Sequence, residues 1–386
     1  MSSDWTQLPP ELLELISKSI AIYADYLRFR GVCRSWRSST PKIPEHLPPQ
    51  LPWLMLPQPN FHKPHRAFFN LSNDKVHFLN LPEASHGQRC CGSAHGWLVI
   101  LDETPSILLL NPLTRAKFHL PPLSSFPNVV HFDYSEIGRE YVLRSSTGEI
   151  YPRSLRQIRD SFIKKLVFSS TPSKSNNFVA LAILNQTGDL AFCKNGDQSW
   201  SFIDGVQSYS EDVVYYQNSF YAVNKYGAVA VCDVRGSIPV VSIIETPRQI
   251  GADMQYLVNS GNDLLLVSRY LDLDFENSEE HYRTVGFEVF RLDWSRPRWE
   301  KVKNLGARML FIGQNLSLSV SASDFPGCIG NCIYFTDDYS EFNYENVFGE
   351  YDSGIFRLWD ESIEGQWNSQ GREHWPTPIW VSPNPR

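Results

Sequence analysis

Apolar residues recur at two spacings along this chain, and the change falls near residue 65. Before it, Leu12, Leu13, Ile16 and Ile20 lie three and four positions apart, which makes one face of a helix. Leu8-Pro9-Pro10-Glu11 reads as the entry to that helix. A proline in the first turn gives up an N–H that has no intrahelical partner anyway, and a carboxylate favours the positive helix end. A second helix is predicted from Tyr26, with Asp25 as its N-cap. Phe29, Val32, Cys33 and Trp36 repeat at i, i+3, i+4 and i+7 and form one stripe, with Arg28, Arg30, Arg34 and Arg37 on the other sides. Pro41 stops the helix near Thr40.

Between Thr40 and Pro64 stand eight prolines, which exclude a regular helix or a central strand. A stiff, extended connector is predicted over residues 41–64, interrupted by Leu51, Trp53, Leu54 and Leu56, which pack on the next domain or form a short edge strand.

From residue 65 to 386 the pattern becomes strand-length apolar runs, such as Phe178–Leu184 and Val229–Val234, separated by Asn, Asp and Gly turns. A sandwich, a barrel and a propeller all fit short strands at regular spacing. Repetition favours the propeller. Gly188–Ile203 and Gly286–Val302 each run strand, polar hairpin, then a strand with a Trp near its start, Trp200 and Trp299. Asn111-Pro112-Leu113-Thr114 makes a comparable turn. Units are predicted near 90–120, 164–203, 211–245, 254–303 and 309–360. The segment near 66–80 pairs with Ile379-Trp380-Val381 to close a ring of about six blades, with seven as the alternative. The fold class is therefore mainly β: a small helical domain over residues 1–40, a connector, and a large propeller.

A helical segment of about 40 residues buries little on its own. The apolar surplus on it implies either a partner or a seat on the chain's own β domain, and the pattern alone leaves both open. Composition adds exclusions. A net charge of −7 argues against nucleic acid bound through a basic field. Asp4, Glu11 and Glu14 break up what a signal peptide needs, and no run approaches the roughly 18 apolar residues of a membrane span, so the expectation is a soluble intracellular protein. Seven cysteines without a secretion signal read as reduced, buried thiols.

The N-terminal motif resembles an F-box. Leu8-Pro9, Leu12-Leu13 and Ile16 are followed by Leu27-Arg28-Phe29-Arg30-Gly31-Val32-Cys33-Arg34-Ser35-Trp36-Arg37, with Ile20-Ala21 where many members carry a Leu-Pro pair. Gly92-Ser93-Ala94-His95-Gly96-Trp97-Leu98-Val99, Leu109-Leu110-Asn111-Pro112, Phe287-Glu288-Val289-Phe290, and Asn331-Cys332-Ile333-Tyr334-Phe335-Thr336-Asp337-Asp338 resemble, in order, a plant F-box-associated propeller family. The resemblance implies a non-catalytic substrate-recognition subunit of an SCF-type cullin–RING ubiquitin ligase, in the nucleus or cytoplasm. It puts Leu8, Pro9, Leu12, Leu13, Ile16, Val32, Cys33 and Trp36 in or directly behind the contact with the SCF adaptor, and through it the cullin scaffold. The propeller then takes a target protein that the sequence does not identify. A binding scaffold outside any ligase and a propeller hydrolase are the alternatives.

Candidate chemistry is thin. His95 sits in a tight turn, and no Gly-x-Ser-x-Gly elbow or phosphate-binding glycine loop accompanies it. Asp272, Asp274 and Glu276 alternate like a calcium loop, but Asn277 and Arg283 stand where Gly and Glu are required, which leaves a solvated loop. Asp337-Asp338 reads as a turn at a strand end, since adjacent strand residues face opposite ways. No cofactor or metal is expected.

Overall fold

The computed structural model describes residues 5–48, 50–57, 64–85, 87–172, 177–248, 251–274, 281–338, 352–365 and 377–385. Three helices open the chain: α1 (Pro10–Ser19), α2 (Tyr23–Gly31) and α3 (Arg34–Ser38). Pro10 and Glu11 occupy the first turn of α1, as the sequence predicts.

The second predicted helix is two. Cys33 is extended (φ −159°, ψ 177°) and precedes α3, so the Phe29–Trp36 stripe folds back on itself. Phe29 and Trp36 still meet, with ring centroids 4.4 Å apart. Asp25 is not the cap of α2, which starts at Tyr23 after an extended Ile22; its carboxylate instead pairs with Arg28 Nη1 at 2.6 Å.

Behind the helices lies a ring of six sheets. The first blade is a closure made from both ends of the chain: Ile379–Val381 innermost, then Trp53–Met55, His65–Asn70 and Lys75–Asn80. Trp53–Met55 thus falls inside the stretch read as connector, and it is an inner strand rather than an edge strand. The C-terminal strand pairs with it, not with residues 66–80 as the sequence suggested. The connector ends before Trp53. Three prolines bracket this short strand (Pro49, Pro52 and Pro57), and none falls within it, where a ladder N–H would be lost.

The next blades start from inner strands Arg89–Ala94, Ile163–Phe168, Asp212–Tyr216 and Met254–Ser260, each followed outward by three antiparallel strands. The sixth blade is irregular. Leu316–Ser321 is innermost, Arg308–Gly313 lies next, and Cys332–Phe335 runs parallel to it before two further strands. The six inner strands touch in a closed circle. A three-stranded sheet (Val129–Phe132, Tyr141–Arg144, Ile150–Arg153) and α4 (Leu155–Ser161) pack outside the ring, with Tyr141, Leu143 and Ile158 in the same core as Leu109, Leu166 and Phe178.

Strands within a blade are apolar on both sides because each blade is covered by its neighbours. Val179–Leu184 is buried at every position. Outermost strands such as Val240–Ile244 are largely exposed. Tryptophans clasp successive blades. Trp200 Nε1 donates to the Pro121 carbonyl at 3.0 Å, Trp299 Nε1 to Gly227 at 2.7 Å and Trp380 Nε1 to Ile312 at 3.1 Å, so each large ring is buried with its one polar atom satisfied. Gly92 lies where a Cβ would stand 2.3 Å from the Leu166 carbonyl, a measure of how closely inner strands approach.

Candidate functional site

On the helices, apolar side chains divide into two sets. Leu13 and Tyr26 are fully buried and hold the helices together. Tyr26 donates its hydroxyl to the Pro41 carbonyl at 2.7 Å. Leu12, Leu15, Ile16 and Val32 are 46%, 63%, 40% and 55% exposed, with Trp5 and Leu27 also in solvent. Leu8, Cys33 and Trp36 are half-buried, and Pro9 is exposed. Trp36 Nε1 donates to the Trp5 carbonyl at 3.1 Å, which ties the start of the chain to α3. Of the eight residues singled out in the sequence, seven thus reach solvent and Leu13 supports them from behind. Leu15, three positions after Leu12 on the same helix and 63% exposed, was not among them.

The chain after α3 fixes this unit to the ring. Gln50 is buried. Its Nε2 donates to the Ala21 carbonyl at 2.9 Å and its Oε1 accepts from Tyr23 N at 2.8 Å. Leu47, Pro48 and Gln50 also line a cavity of about 380 Å³ at one end of the central channel. The other end holds a recess of about 20 Å³ lined by Lys164, Glu211, Met254 and Gln314. Between them a polar network crosses the channel. Lys165 Nζ donates to Asp212 Oδ1 at 2.6 Å and to Ser317 Oγ at 2.9 Å, and Ser317 Oγ donates to Asp212 Oδ2 at 2.8 Å. Leu257 N adds a fourth strand to it at 2.9 Å from Asp212 Oδ2. Three blades supply these side chains and a fourth the amide, so the network holds the ring in register at its axis.

The inner strands all run from the recess toward the cavity. The helices therefore sit at the cavity end, and the recess end faces away from them. Beside the recess lies a second buried charge cluster. Arg269, fully buried, reaches Asp338 Oδ1 at 2.6 Å, Asp352 Oδ2 at 2.9 Å, Thr284 Oγ1 at 2.8 Å and the Thr336 carbonyl at 3.1 Å. Asp337 accepts from the Tyr282 hydroxyl and from Asp352 N. Burial pushes the Asp338 carboxyl up to about 6, against the pull of Arg269 and of the Tyr256 hydroxyl. Asp337-Asp338 is therefore not a surface turn. Both carboxylates are interior, and they meet in one cluster because the chain leaves the strand after Phe335.

His95 holds the left-handed conformation (φ 52°) beside Gly96 and lines the cavity. Asp272 lies 3.8 Å from Arg283 in solvent; the Asp274 side chain and Glu276–Glu280 fall outside the described residues. Five of the seven cysteines are buried, while Cys33 and Cys328 are half-buried. Burial pushes the Cys90 thiol up to about 11. Among the described residues no group of three or more His, Cys, Asp or Glu side chains is placed to hold a metal ion, and no helix is long and apolar enough to cross a membrane.

A six-membered ring of blades, closed by the C-terminal strand paired with Trp53–Met55 and preceded by a small helical unit with exposed apolar side chains, defines a β-propeller protein with an N-terminal helical appendage. Residues 68–357 match the KIB1-4 β-propeller family, and the chain belongs to it. It is 29% identical to F-box protein SKIP23 of Arabidopsis thaliana over 99% of this chain and 97% of that one. It is also 27% identical to F-box protein At2g17036 of the same plant, over 98% and 95%. The expected kinship with plant F-box proteins that carry a propeller is borne out at that level.

Proposed function

We propose that this protein is the substrate-recognition subunit of an SCF-type cullin–RING ubiquitin ligase, with residues 1–40 acting as an F-box. The observation that carries the reading is the open apolar surface of α1 and the α2–α3 turn. Leu12, Leu15, Ile16 and Val32 are in solvent on a module whose own core, Leu13 and Tyr26, is already sealed. Leu8, Pro9, Cys33 and Trp36 border that surface, and relatives that align along nearly the whole chain are named F-box proteins.

In this role the chain performs no chemistry. It holds a target near a charged ubiquitin carrier, and the gain is effective concentration. The propeller face away from the helices suits the target, because the adaptor then approaches from one side and the target from the other. The rigid channel network and Gln50 keep the two at a fixed separation. The nucleus or cytoplasm, where thiols stay reduced, fits the cysteine usage.

Co-expression with a plant SCF adaptor and cullin tests the reading. The full chain is expected to co-purify with both, and Leu8→Asp with Leu12→Asp is expected to lose both while keeping its melting transition. Retention of the adaptor by that variant contradicts the assignment. A scaffold outside any ligase, its helices merely capping the propeller, predicts instead that removing residues 1–40 lowers propeller stability markedly.

A further inference from the structure

We propose that the outermost strand of the fourth blade, Val240–Ile244, pairs antiparallel with the same strand of a second copy of this chain, across a two-fold axis through Ser242. One edge of this strand is taken by Val229–Asp233. Among the described residues no strand pairs with its other edge. An open edge is a row of unpaired N–H and C=O groups, and proteins usually guard it with charge, proline or shortness. The outermost strands of the other blades are guarded. Lys75, Lys117 and Glu364 stand on three of them, and Arg298, Glu300 and Lys301 on a fourth, while Ser201–Phe202 is two residues long. Val240–Ile244 has none of these devices. No residue from Gly236 to Ile244 is charged, and Pro239 precedes the strand instead of interrupting it.

What this edge shows to solvent is complementary to itself. Val240 is 65% and Ile243 38% exposed, while Val241 and Ile244 are half-buried against cores on opposite faces of the blade. Antiparallel pairing about Ser242 sets Val240 against Ile244 of the second copy and Ile243 against Val241 of the second copy. Each exposed side chain then meets a half-buried one on the same face, at the close spacing where β-branched pairs stabilise a sheet. This register pairs all five residues of the strand.

Flanking charge fits the same arrangement. Lys194 Nζ donates to the Gly236 carbonyl at one end, and Glu245 stands exposed at the other. Neither side chain is in an ion pair among the described residues, and antiparallel pairing brings the Lys194 end of each copy beside the Glu245 end of the other. The other charges near these ends are engaged. Arg235 pairs with Asp233 at 2.7 Å, Asp197 accepts from Lys194 N at 2.7 Å, and Arg248 lies over the Tyr226 ring. A two-fold contact of this kind closes at two copies, because each edge is used once. A five-residue pairing falls short of the roughly 1,600 Å² of a standard interface, so the expected dissociation constant is about 10 μM.

Sedimentation velocity on the full chain between about 1 and 100 μM tests this, and dimer is expected to grow across that range. Ser242→Lys, at an exposed position, sets two ammonium groups opposite each other at the axis. It is expected to weaken the dimer more than about tenfold while keeping the melting transition. Glu245→Lys is expected to weaken it about threefold, and adding Lys194→Glu to restore it. Leu8→Asp with Leu12→Asp is expected to leave the dimer intact, since the contact lies on the ring. A chain that stays monomeric throughout overturns the proposal, as does a dimer that Ser242→Lys leaves unchanged or one lost in the Leu8→Asp, Leu12→Asp variant. Failure of Lys194→Glu to restore the Glu245→Lys dimer overturns the register.

Discussion

The helical unit and the propeller treat apolar and charged side chains in opposite ways. On α1 and the α2–α3 turn, leucines, isoleucine and valine stand in water while the ion pairs, such as Glu14–Lys18 and Asp25–Arg28, are short-range and exposed. In the ring the apolar runs are sealed between blades, and the charges of Arg269 and Lys165 lie inside, each paired with carboxylate. Exposed pairs of the first kind contribute roughly 0–1 kcal/mol. Breaking a buried pair of the second kind costs roughly 3–5 kcal/mol, because a charge is left without a partner. The lesson is a division of labour. The ring is a rigid frame, and the helices leave apolar side chains in water, as the proposed docking requires.

Breaking the frame gives the largest effect. Arg269→Ala leaves Asp338 and Asp352 without their shared cation and is expected to lower unfolding free energy by about 3–5 kcal/mol in a denaturant titration. Gly96→Ala comes next, at about 2 kcal/mol. Gly96 has φ +84°, and a Cβ there would stand 2.5 Å from Asn384 Cβ, so the C-terminal tail that receives Asn111 Nδ2 on the Asn384 carbonyl at 2.8 Å must move. Limited proteolysis of the C-terminus reads that release.

Asp338→Asn sharpens the contrast through pH. Burial raises the folded-state pKa of Asp338 to about 6, above the unfolded value near 4. The folded chain thus keeps a proton that the unfolded chain has released. This group's contribution is fully present below about pH 4 and is lost as pH rises through about 6, by roughly 3 kcal/mol. The variant, neutral throughout, is expected to remove that part of the slope between pH 4 and 6 in stability curves. An unchanged slope would place the titrating group elsewhere. The smallest effect on the fold is expected from Leu8→Asp with Leu12→Asp. Both positions reach water, so the unfolding free energy should stay within about 0.5 kcal/mol of wild type.

Much of the ring was legible because its repeats are local. A hairpin followed by Trp200 or Trp299, and the Asn111 turn, each lie within a few residues of the strands they organise. What was missed depends on distance or on dihedral angles. Arg269 and Asp338 are 69 positions apart, and nothing in Asp337-Asp338 reveals a guanidinium behind it. The closure through Trp53–Met55 was hidden by surrounding prolines. Helical spacing carried the stripe from Phe29 to Trp36 unbroken, because periodicity does not register one extended residue at Cys33. The outer sheet escaped notice because its strands are short and mostly half-exposed, with Pro152 inside one of them. The α4 start was readable: Ser154 and Gln157 form a capping box, with Gln157 N donating to Ser154 Oγ at 3.2 Å.

The account rests on the helical face being a docking surface, and amide hydrogen exchange with and without a plant SCF adaptor tests this most directly. Protection is expected to rise across residues 8–20 and 29–38 on adding the adaptor, while the inner strands of the ring exchange as before. Unchanged exchange in both helical stretches, or new protection confined to the propeller, would contradict it.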